Sequence, residues 1–305
     1  MKHLLSIESL SPNDLHSILR RTPRIKRERG AAIYQKTLTG QTWAMIFTKS
    51  STRTRVSFEV GLRELGGEVL FMSGQDLQLG RGEPIRDTAR VFARMISGVI
   101  IRTGPQAYVE EMAHYLKKPV INALTDDEHP CQIISDLYTI SEALETWENK
   151  KIAFVGDGTC NVARSWMWAA LRLGLKLRIG APREYLPSTE DQELFKGAVH
   201  FTEDPGEAVE DADVVYTDVW VSMGKETESE ERIDRLRPYQ LNHALLEQAS
   251  PKVKVLHCLP AYRGMEITEE LLEEHADLIF TQAENRLHAQ KAILEWVVEE
   301  EHRRV

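Results

Sequence analysis

The sequence predicts an α/β fold in which two doubly wound parallel-sheet domains are linked by helices. Three observations support this prediction. Short apolar or β-branched runs alternate with segments of helical periodicity along nearly the whole chain, which is typical of parallel sheets covered by helices on both faces. The length of 305 residues is about twice that of a typical domain. The composition is that of an ordinary globular protein, because 42% of the residues are hydrophobic and 28% are charged.

The first half of the chain contains four short apolar runs that predict strands, each separated from the next by a segment of helical periodicity. The strands are predicted over residues 43–47, 69–72, 99–101 and 120–122. The helices between them are predicted over residues 53–65, 85–96 and 107–116. A longer stretch over residues 131–144 predicts one further helix that leads out of the first sheet.

The second half of the chain continues the same alternation without any internal sequence repeat. Strands are predicted over residues 151–155, 175–179, 199–202, 214–216, 254–257 and 278–280, followed by a last helix over residues 283–299. The highly charged stretch 225–248 predicts a helix-rich excursion on the surface. We expect residues 1–147, completed by a C-terminal helix over about residues 283–305, to form one domain, and residues 148–282 to form the other.

Composition argues against several functional classes. A formal net charge of -9 argues against nucleic-acid binding, because that function requires a broad basic surface. The one basic run, residues 20–29, is more typical of a solvated helix face. No apolar stretch reaches the roughly 18 to 20 residues that span a bilayer, and the N-terminus lacks a signal-peptide core, so we expect a cytoplasmic protein without membrane contact. Cys131, Cys160 and Cys258 show no CxxC spacing and predict neither a disulfide framework nor a zinc site.

Polar residues stand at the predicted carboxyl ends of several strands, where ligands gather in open parallel sheets. They are Ser51, Arg102, Asp157, Asp218 and Cys258. We therefore expect the active site in the cleft between the two domains.

The segment after the first strand, Ser51-Thr52-Arg53-Thr54-Arg55, leads directly into a predicted helix. Ser51 or Thr52 is a natural N-cap, and a helix N-terminus offers free amides and a partial positive charge to an anion. Hydroxyl and guanidinium groups beside it indicate a phosphate cradle. The alternative is a well-capped helix with surface arginines.

A second polar segment, His129-Pro130-Cys131-Gln132, stands at the start of the predicted linking helix. His129 could donate a hydrogen bond to a polarised carbonyl group, and Gln132 could satisfy an amide. A capping histidine followed by a helix-starting proline explains the same residues structurally, so this segment alone leaves both interpretations open.

Taken together, these two segments resemble the aspartate/ornithine carbamoyltransferase family, and the resemblance extends over most of the chain. Its ornithine branch is matched, in the family order, by QLGRGEPIRDTAR from Gln78, IRT around Arg102, DVWVSMG from Asp218, HCLPAYRG from His257 and QAENRLHAQK around Arg286. The resemblance implies transfer of a carbamoyl group from carbamoyl phosphate to the side-chain amine of ornithine. It also implies that no metal or organic cofactor is needed, and that the protein is a homotrimer or an assembly of trimers.

The resemblance also implies binding roles for residues that match the family motifs. Those expected to hold carbamoyl phosphate are Ser51, Thr52, Arg53, Thr54, Gln78, Arg102, His129, Pro130, Cys131, Gln132, Cys258, Leu259 and Arg286. Gln78 would reach the ligand from the neighbouring subunit. Those expected to bind ornithine are Asn161, Asp218, Ser222 and Met223.

Four of these residues are expected to act in catalysis. Thr54, Arg102 and His129 would donate hydrogen bonds to the oxyanion of a tetrahedral intermediate. Cys258, oriented by Asp218, would help to bind the neutral amine. A positive field that favours a small anion over a polyanion is expected from Arg53, Arg102, His129 and Arg286.

The sequence departs from the family pattern at three places, and three other functions compete with the one above. Ser50 replaces a usual proline, the loop 157–162 is one residue longer, and Tyr262 stands where histidine is common.

The segment 152–158 also suggests a nicotinamide-dependent dehydrogenase, but Gly156 and Gly158 lack the third glycine of that fingerprint. The second competing function is transfer to another amine such as putrescine. The third is that of a catalytically idle homologue that binds and regulates a partner.

Overall fold

The computed structural model describes residues 1–74, 82–221 and 229–302. It divides into two compact units: Met1–Tyr138 with Glu284–Val305 form unit 1, and Thr139–Ala283 form unit 2. Unit 1 is therefore built from both ends of the chain. Within the described ranges, no helix is long and apolar enough to cross a membrane.

Unit 1 contains a four-stranded parallel sheet in the order β2-β1-β3-β4. Its strands are β1 (Thr42–Phe47), β2 (Glu68–Ser73), β3 (Gly98–Arg102) and β4 (Val120–Leu124). The helices that begin in the first half of the chain are α1 (Pro12–Gly30), α2 (Thr52–Glu64), α3 (Ile85–Phe92), α4 (Gln106–Leu116) and α5 (Pro130–Leu144). Parallel strands require crossover connections, and α2, α3 and α4 lie in the connections between these strands.

Strands β1 and β3 at the centre and β4 at one edge are almost fully buried, whereas β2 at the other edge is partly exposed. The core on one side of the sheet includes Ile46, Val99, Ile101, Val109 and Met112. Gly98 pairs in register with Trp43, and a Cβ atom at Gly98 would overlap the Trp43 ring. The buried indole therefore requires glycine at this position.

Unit 2 contains a five-stranded parallel sheet in the order β7-β6-β5-β8-β9. Its strands are β5 (Lys151–Val155), β6 (Lys176–Gly180), β7 (Val199–Thr202), β8 (Val214–Thr217) and β9 (Lys254–His257). The remaining helices of the chain are α6 (Asn161–Leu173), α7 (Thr189–Leu194), α8 (Pro205–Val209), α9 (Ser229–Leu236), α10 (His243–Leu246), α11 (Glu269–Glu274) and α12 (Ala276–His302).

The two sheets confirm the predicted α/β architecture, and most predicted strands coincide with observed ones. The strand predicted over residues 278–280 is wrong, because these residues belong to α12, which begins at Ala276 rather than at residue 283. Ile279 is buried while Phe280 is 56% exposed. A three-residue apolar run cannot distinguish a strand from one turn of a half-buried helix. Helix α3 also ends at Phe92, four residues before its predicted end.

The charged stretch 229–248 is helical, as predicted, but it is not confined to the surface. Leu236 and Leu241 are fully buried, and the Arg232 side chain is 6% exposed. Residues 225–228 of the predicted excursion lie outside the described residues.

The basic run 20–29 lies on α1 and pairs largely with acids of the same unit. Arg21 contacts Glu299, Arg24 contacts Glu295, and Arg29 contacts Glu64 at 2.9 Å. These ion pairs tie the first helix to α12 and α2. The basic run therefore has a structural role as well, while Arg20 and Arg27 are exposed, as predicted for a solvated helix face.

Candidate active site

The carboxyl ends of β1, β3 and β4 carry the candidate residues of unit 1. Arg102 is the last residue of β3 and pairs in register with Phe47, the last residue of β1. Thr48 donates its backbone N–H to the Arg102 carbonyl over 2.9 Å. The loops after both strands therefore start side by side, as expected for parallel strands.

Ser51 is the N-cap of α2, which confirms one of the two predicted capping residues. Its hydroxyl oxygen accepts a hydrogen bond from the backbone N–H of Thr54 over 3.3 Å. Thr52 is exposed and Arg53 is half-buried in the same first turn. The free amides of this turn carry the partial positive charge of a helix N-terminus.

Thr54 is fully buried, and its hydroxyl oxygen accepts a hydrogen bond from Nη2 of Arg286 over 2.9 Å. Arg286 lies on α12 and is only 3% exposed. Because a guanidinium group can only donate, this contact does not use the hydroxyl hydrogen of Thr54. That hydrogen remains available to an oxygen of a ligand.

His129 is 5% exposed and immediately precedes α5. Burial, together with the positive charges of Arg286 and Arg102, holds the pKa of His129 well below its usual value of 6.5. The imidazole is therefore neutral near neutral pH. The expectation that His129 contributes positive charge is wrong, because two buried guanidinium groups oppose its protonation. The positive field comes from the arginines. His129 can act as an uncharged hydrogen-bond donor.

Gln132, one turn into α5, is 1% exposed, and its amide nitrogen donates to Asp136 over 2.9 Å. Its Oε1 is buried and has no hydrogen-bond partner among the described residues. A buried carbonyl oxygen in this state is costly unless a ligand supplies a donor. This geometry suits an amide NH2 group.

Pro130 and Cys131 open helix α5 between His129 and Gln132. The Cys131 thiol donates to the Asn122 carbonyl over 3.3 Å, and burial raises its pKa to about 12. The side chain of Cys131 is therefore a protonated, structural thiol. The Cys131 thiol hydrogen is already used on Asn122, and Pro130 has neither a polar side chain nor a backbone N–H. A ligand beside these residues would therefore receive no hydrogen bond from either side chain.

In unit 2, Asp218 follows β8 and Cys258 follows the neighbouring strand β9. The Cys258 thiol donates to Oδ1 of Asp218 over 2.9 Å, and the backbone N–H of Val219 donates to the same oxygen over 2.7 Å. Burial raises the pKa of Asp218 above its usual value, although the hydrogen bonds from these two donors lower it. The predicted orientation of Cys258 by Asp218 is thus observed.

Leu259 adopts a left-handed conformation, with φ of 54°. Its backbone N–H donates to Nδ1 of His257 over 2.8 Å, while Nε2 of His257 lies 3.0 Å from Glu266. Because Nδ1 accepts, the ring proton resides on Nε2 and points at Glu266. The fully buried His257–Glu266 pair thereby holds the backbone beside Cys258.

Asn161 is the first residue of α6, directly after the extended loop. Cys160 is the N-cap of that helix and accepts from the backbone N–H of Ala163 over 3.4 Å. Burial raises the pKa of the Cys160 thiol well above its usual value, and the nearby carboxylates of Asp218 and Asp157 add to this. Asn161 therefore stands at the start of a helix, directly after a cap that lies close to Asp218 and Asp157.

Three predicted site residues, Gln78, Ser222 and Met223, lie outside the described residues. The remaining ones form two groups, one in each unit. Sequence reasoning missed three buried side chains that hold the group in unit 2: Arg232, His257 and Glu266. Arg232 lies in a charged stretch without a signal of its own. His257 opens the HCLPAYRG segment, but its partnership with Glu266 appears only in the fold.

Comparison with known proteins gives matches over both units. The family model "Aspartate/ornithine carbamoyltransferase, carbamoyl-P binding domain" matches residues 2–142, and the model of the Asp/Orn binding domain of the same family matches residues 148–297. An ornithine carbamoyltransferase of Akkermansia muciniphila is 57% identical over 96% of this chain and 97% of its own. The anabolic ornithine carbamoyltransferase of Pseudomonas aeruginosa is 46% identical, with 99% of each chain covered.

Solved structures give the same result. The ornithine carbamoyltransferase from Pyrococcus furiosus superposes with a TM-score of 0.92 at 42% identity, covering 98% of this chain and 97% of that one. The anabolic ornithine carbamoyltransferase from Campylobacter jejuni superposes with a TM-score of 0.91 at 40% identity, covering 98% of this chain and 100% of that one.

Proposed function

Because this chain belongs to the aspartate/ornithine carbamoyltransferase family, we propose that it transfers the carbamoyl group of carbamoyl phosphate to the side-chain amine of L-ornithine. The products are L-citrulline and phosphate. The observation that carries the proposal is the Asp218–Cys258 hydrogen bond at the ends of adjacent strands, in a chain whose full length matches ornithine enzymes. These relatives favour ornithine over putrescine and an active enzyme over an idle homologue.

The two halves of the chain divide the substrates between them in this proposal. Residues 1–147, completed by the C-terminal helix over about residues 283–305, bind carbamoyl phosphate, and residues 148–282 bind ornithine. The descriptions of the two matching family domains support this division.

Carbamoyl phosphate brings a phosphate dianion to a set of donors in unit 1, of which Thr54, Arg102 and Arg286 are buried. The amides and hydroxyls of Ser51, Thr52 and Thr54 at the start of α2 bind its oxygens. The guanidinium groups of Arg53, Arg102 and Arg286 balance its charge. The buried carbonyl oxygen of Gln132 accepts from the carbamoyl NH2 group. Further contacts are proposed for Gln78 of a neighbouring subunit and for Pro130, Cys131, Cys258 and Leu259.

The reaction is an acyl transfer in which the neutral amine attacks the carbamoyl carbon, a tetrahedral intermediate forms, and phosphate leaves. Thr54, Arg102 and His129 donate to the oxyanion of that intermediate. The neutral state of His129 suits this role, because a neutral imidazole donates from one ring nitrogen without needing to be charged. The negative charge that develops on the oxyanion is then balanced by Arg102 and Arg286.

The ornithine side-chain amine, which as an alkylamine has an ordinary pKa of about 10.4, must lose a proton before it attacks. The Cys258 thiol donates its hydrogen to Asp218, so its sulfur meets the amine as a hydrogen-bond acceptor. Asp218 also offers a carboxylate to the α-ammonium group, and Asn161, Ser222 and Met223 bind the rest of the amino acid. The leaving phosphate is the eventual proton acceptor.

We further propose a cytoplasmic homotrimer, or an assembly of trimers, that acts without metal or organic cofactor and binds neither nucleic acid nor membrane. The ion pairing of the basic run on α1 supports the exclusion of nucleic acid, because three of its arginines already contact acidic side chains of unit 1.

The deciding experiment measures carbamoyl products formed by the purified protein from carbamoyl phosphate with ornithine, putrescine or aspartate. Citrulline formation with ornithine alone is expected. Preference for putrescine would leave the carbamoyl phosphate site intact and overturn the acceptor assignment. Absence of any carbamoyl product, in a folded protein that still binds carbamoyl phosphate, would favour the idle homologue.

A further inference from the structure

We propose that Arg232 is a positioning residue for the ornithine half of the site. Its guanidinium group joins the loop after β5, which leads to Asn161, to the loop after β8, which begins with Asp218. The inference rests on the proposed function, because it assigns Arg232 an effect on the affinity for ornithine.

The contacts of Arg232 are buried and use separate nitrogens. Nη2 forms an ion pair with Oδ2 of Asp157, and Nε donates to the backbone carbonyl of Trp220. The side chains of Arg232 and Asp157 are 6% and 5% exposed, respectively. Charge-assisted hydrogen bonds at this depth are strong, and removal of one partner leaves the other charge uncompensated.

Asp157 transmits this contact into its own loop. Its second oxygen, Oδ1, accepts from the backbone N–H of Thr159 over 2.9 Å and from the Thr159 hydroxyl over 2.6 Å. One carboxylate therefore holds Arg232 on one side and shapes the turn before Asn161 on the other. This is the loop that is one residue longer than the family pattern.

Trp220 transmits the contact into the second loop, because it lies two residues after Asp218. Its indole is 2% exposed and packs on Gly156. A Cβ atom added at Gly156 would lie 3.5 Å from the indole nitrogen, and the φ of +134° at Gly156 disfavours any side chain. The two loops are thus in direct contact, and Arg232 adds a second connection through Asp157 and the Trp220 carbonyl.

A third contact, with the ring of Tyr185, explains why arginine is required at this position. The guanidinium carbon lies 4.5 Å from the centroid of the Tyr185 ring, a stacking contact that suits a planar cation. Lysine carries its three donors on one nitrogen, so it cannot offer one nitrogen to Asp157 and another to the Trp220 carbonyl while a planar cation covers the ring. Arg232→Lys therefore keeps the positive charge but loses the two spaced nitrogen donors and the planar group.

Arg232 contacts Asp157, Trp220 and Tyr185, which hold the two loops, and is not assigned to either substrate. Its effect on a bound amino acid is therefore indirect, through the placement of both loops. The charged groups proposed for carbamoyl phosphate belong to unit 1, so the affinity for that substrate should not depend on Arg232. A change confined to one substrate separates positioning from a general loss of structure.

The test compares Arg232→Lys with the wild-type enzyme in steady-state kinetics and measures carbamoyl phosphate binding by calorimetry in the absence of ornithine. We expect the KM for ornithine to rise roughly ten- to a hundredfold, the loss typical of one charge-assisted hydrogen bond. Carbamoyl phosphate affinity should stay within about twofold. Arg235→Lys is the matched control, because Arg235 lies one turn later on α9 and is exposed, with its partners Glu184 and Glu231.

Asp157→Asn is a second variant that keeps the size of the side chain and removes its charge, and it decides the question if Arg232→Lys does not fold. It should raise the same KM. An unchanged ornithine KM in a folded variant, or an equal loss of affinity for both substrates, overturns the inference. If the wild-type protein binds carbamoyl phosphate but makes no citrulline, the proposed function fails instead, and the two failures are distinguishable.

Discussion

Thr54→Val tests the most specific feature of the candidate site in unit 1. Valine has nearly the shape of threonine, so the buried position stays filled while the hydroxyl disappears. Arg286 then loses the acceptor that lies 2.9 Å from its Nη2, and the ligand loses the hydrogen that Thr54 could donate. Both losses occur at a side chain with 0% exposure, where water cannot replace them.

The two losses differ in their expected size and in their assay. Removal of one oxyanion donor costs about 2.7 to 4 kcal/mol, which lowers kcat roughly 100- to 1000-fold. A buried donor left unsatisfied costs about 1 to 3 kcal/mol of stability, or a decrease in Tm of about 2 to 12 °C at about 2 to 4 °C per kcal/mol for a domain of this size. Citrulline formation at saturating substrates measures the first, and thermal unfolding measures the second.

Thr54→Ser is the matched control. It keeps the hydroxyl and removes one buried methyl group, which costs about 0.8 kcal/mol of folding stability, so kcat should stay close to that of the wild type. The reasoning is refuted if Thr54→Val turns over within about threefold of Thr54→Ser, since the hydroxyl would then contribute nothing to the transition state.

Three further predictions concern single side chains. Cys258→Ala should lower kcat and raise the KM for ornithine, and a variant with unchanged turnover across the pH range would remove the thiol from the chemistry. His129→Gln should lower kcat about 100- to 1000-fold. The shape of the pH profile of kcat should stay unchanged above pH 6.5, because burial and two arginines keep His129 neutral there. Loss of a pH-dependent part of that profile above pH 6.5 would contradict the assignment. Asp218→Asn should raise the Tm at neutral pH even though it impairs activity. Since burial raises the pKa of Asp218 in the folded state, its ionisation lowers stability as pH rises through that pKa, so the gain in Tm should shrink on acidification; a gain independent of pH would indicate another cause.

The sequence is informative wherever function uses local chemistry at a strand end. Ser51 as N-cap and Cys258 beside Asp218 follow from short segments placed after predicted strands, and both are observed. The error at residues 278–280 arises because a three-residue run carries no usable periodicity, and tertiary packing decides its structure. Strand ends were easier to find because each is marked by a change from apolar to polar residues.

Charge states and long-range partners could not be predicted in the same way. The neutral state of His129 depends on Arg102 and Arg286, which only the fold brings near it. Arg232 pairs with Asp157 across 75 positions of sequence, and nothing in its own segment distinguishes it from the exposed arginines nearby. Burial, rather than residue type, separates these side chains from their neighbours.

The discontinuity of unit 1 has a consequence for the order in which the protein is made. Arg286 contacts Thr54 from 232 positions further along the chain, and Glu295 contacts Arg24 from 271 positions further along. A chain emerging from the ribosome can form the sheet of unit 2 while unit 1 still lacks the helix that carries these groups. The buried Arg286 of the proposed anion site is therefore added only after all of unit 2 has been synthesised, so synthesis through α12 is a condition for an assembled site.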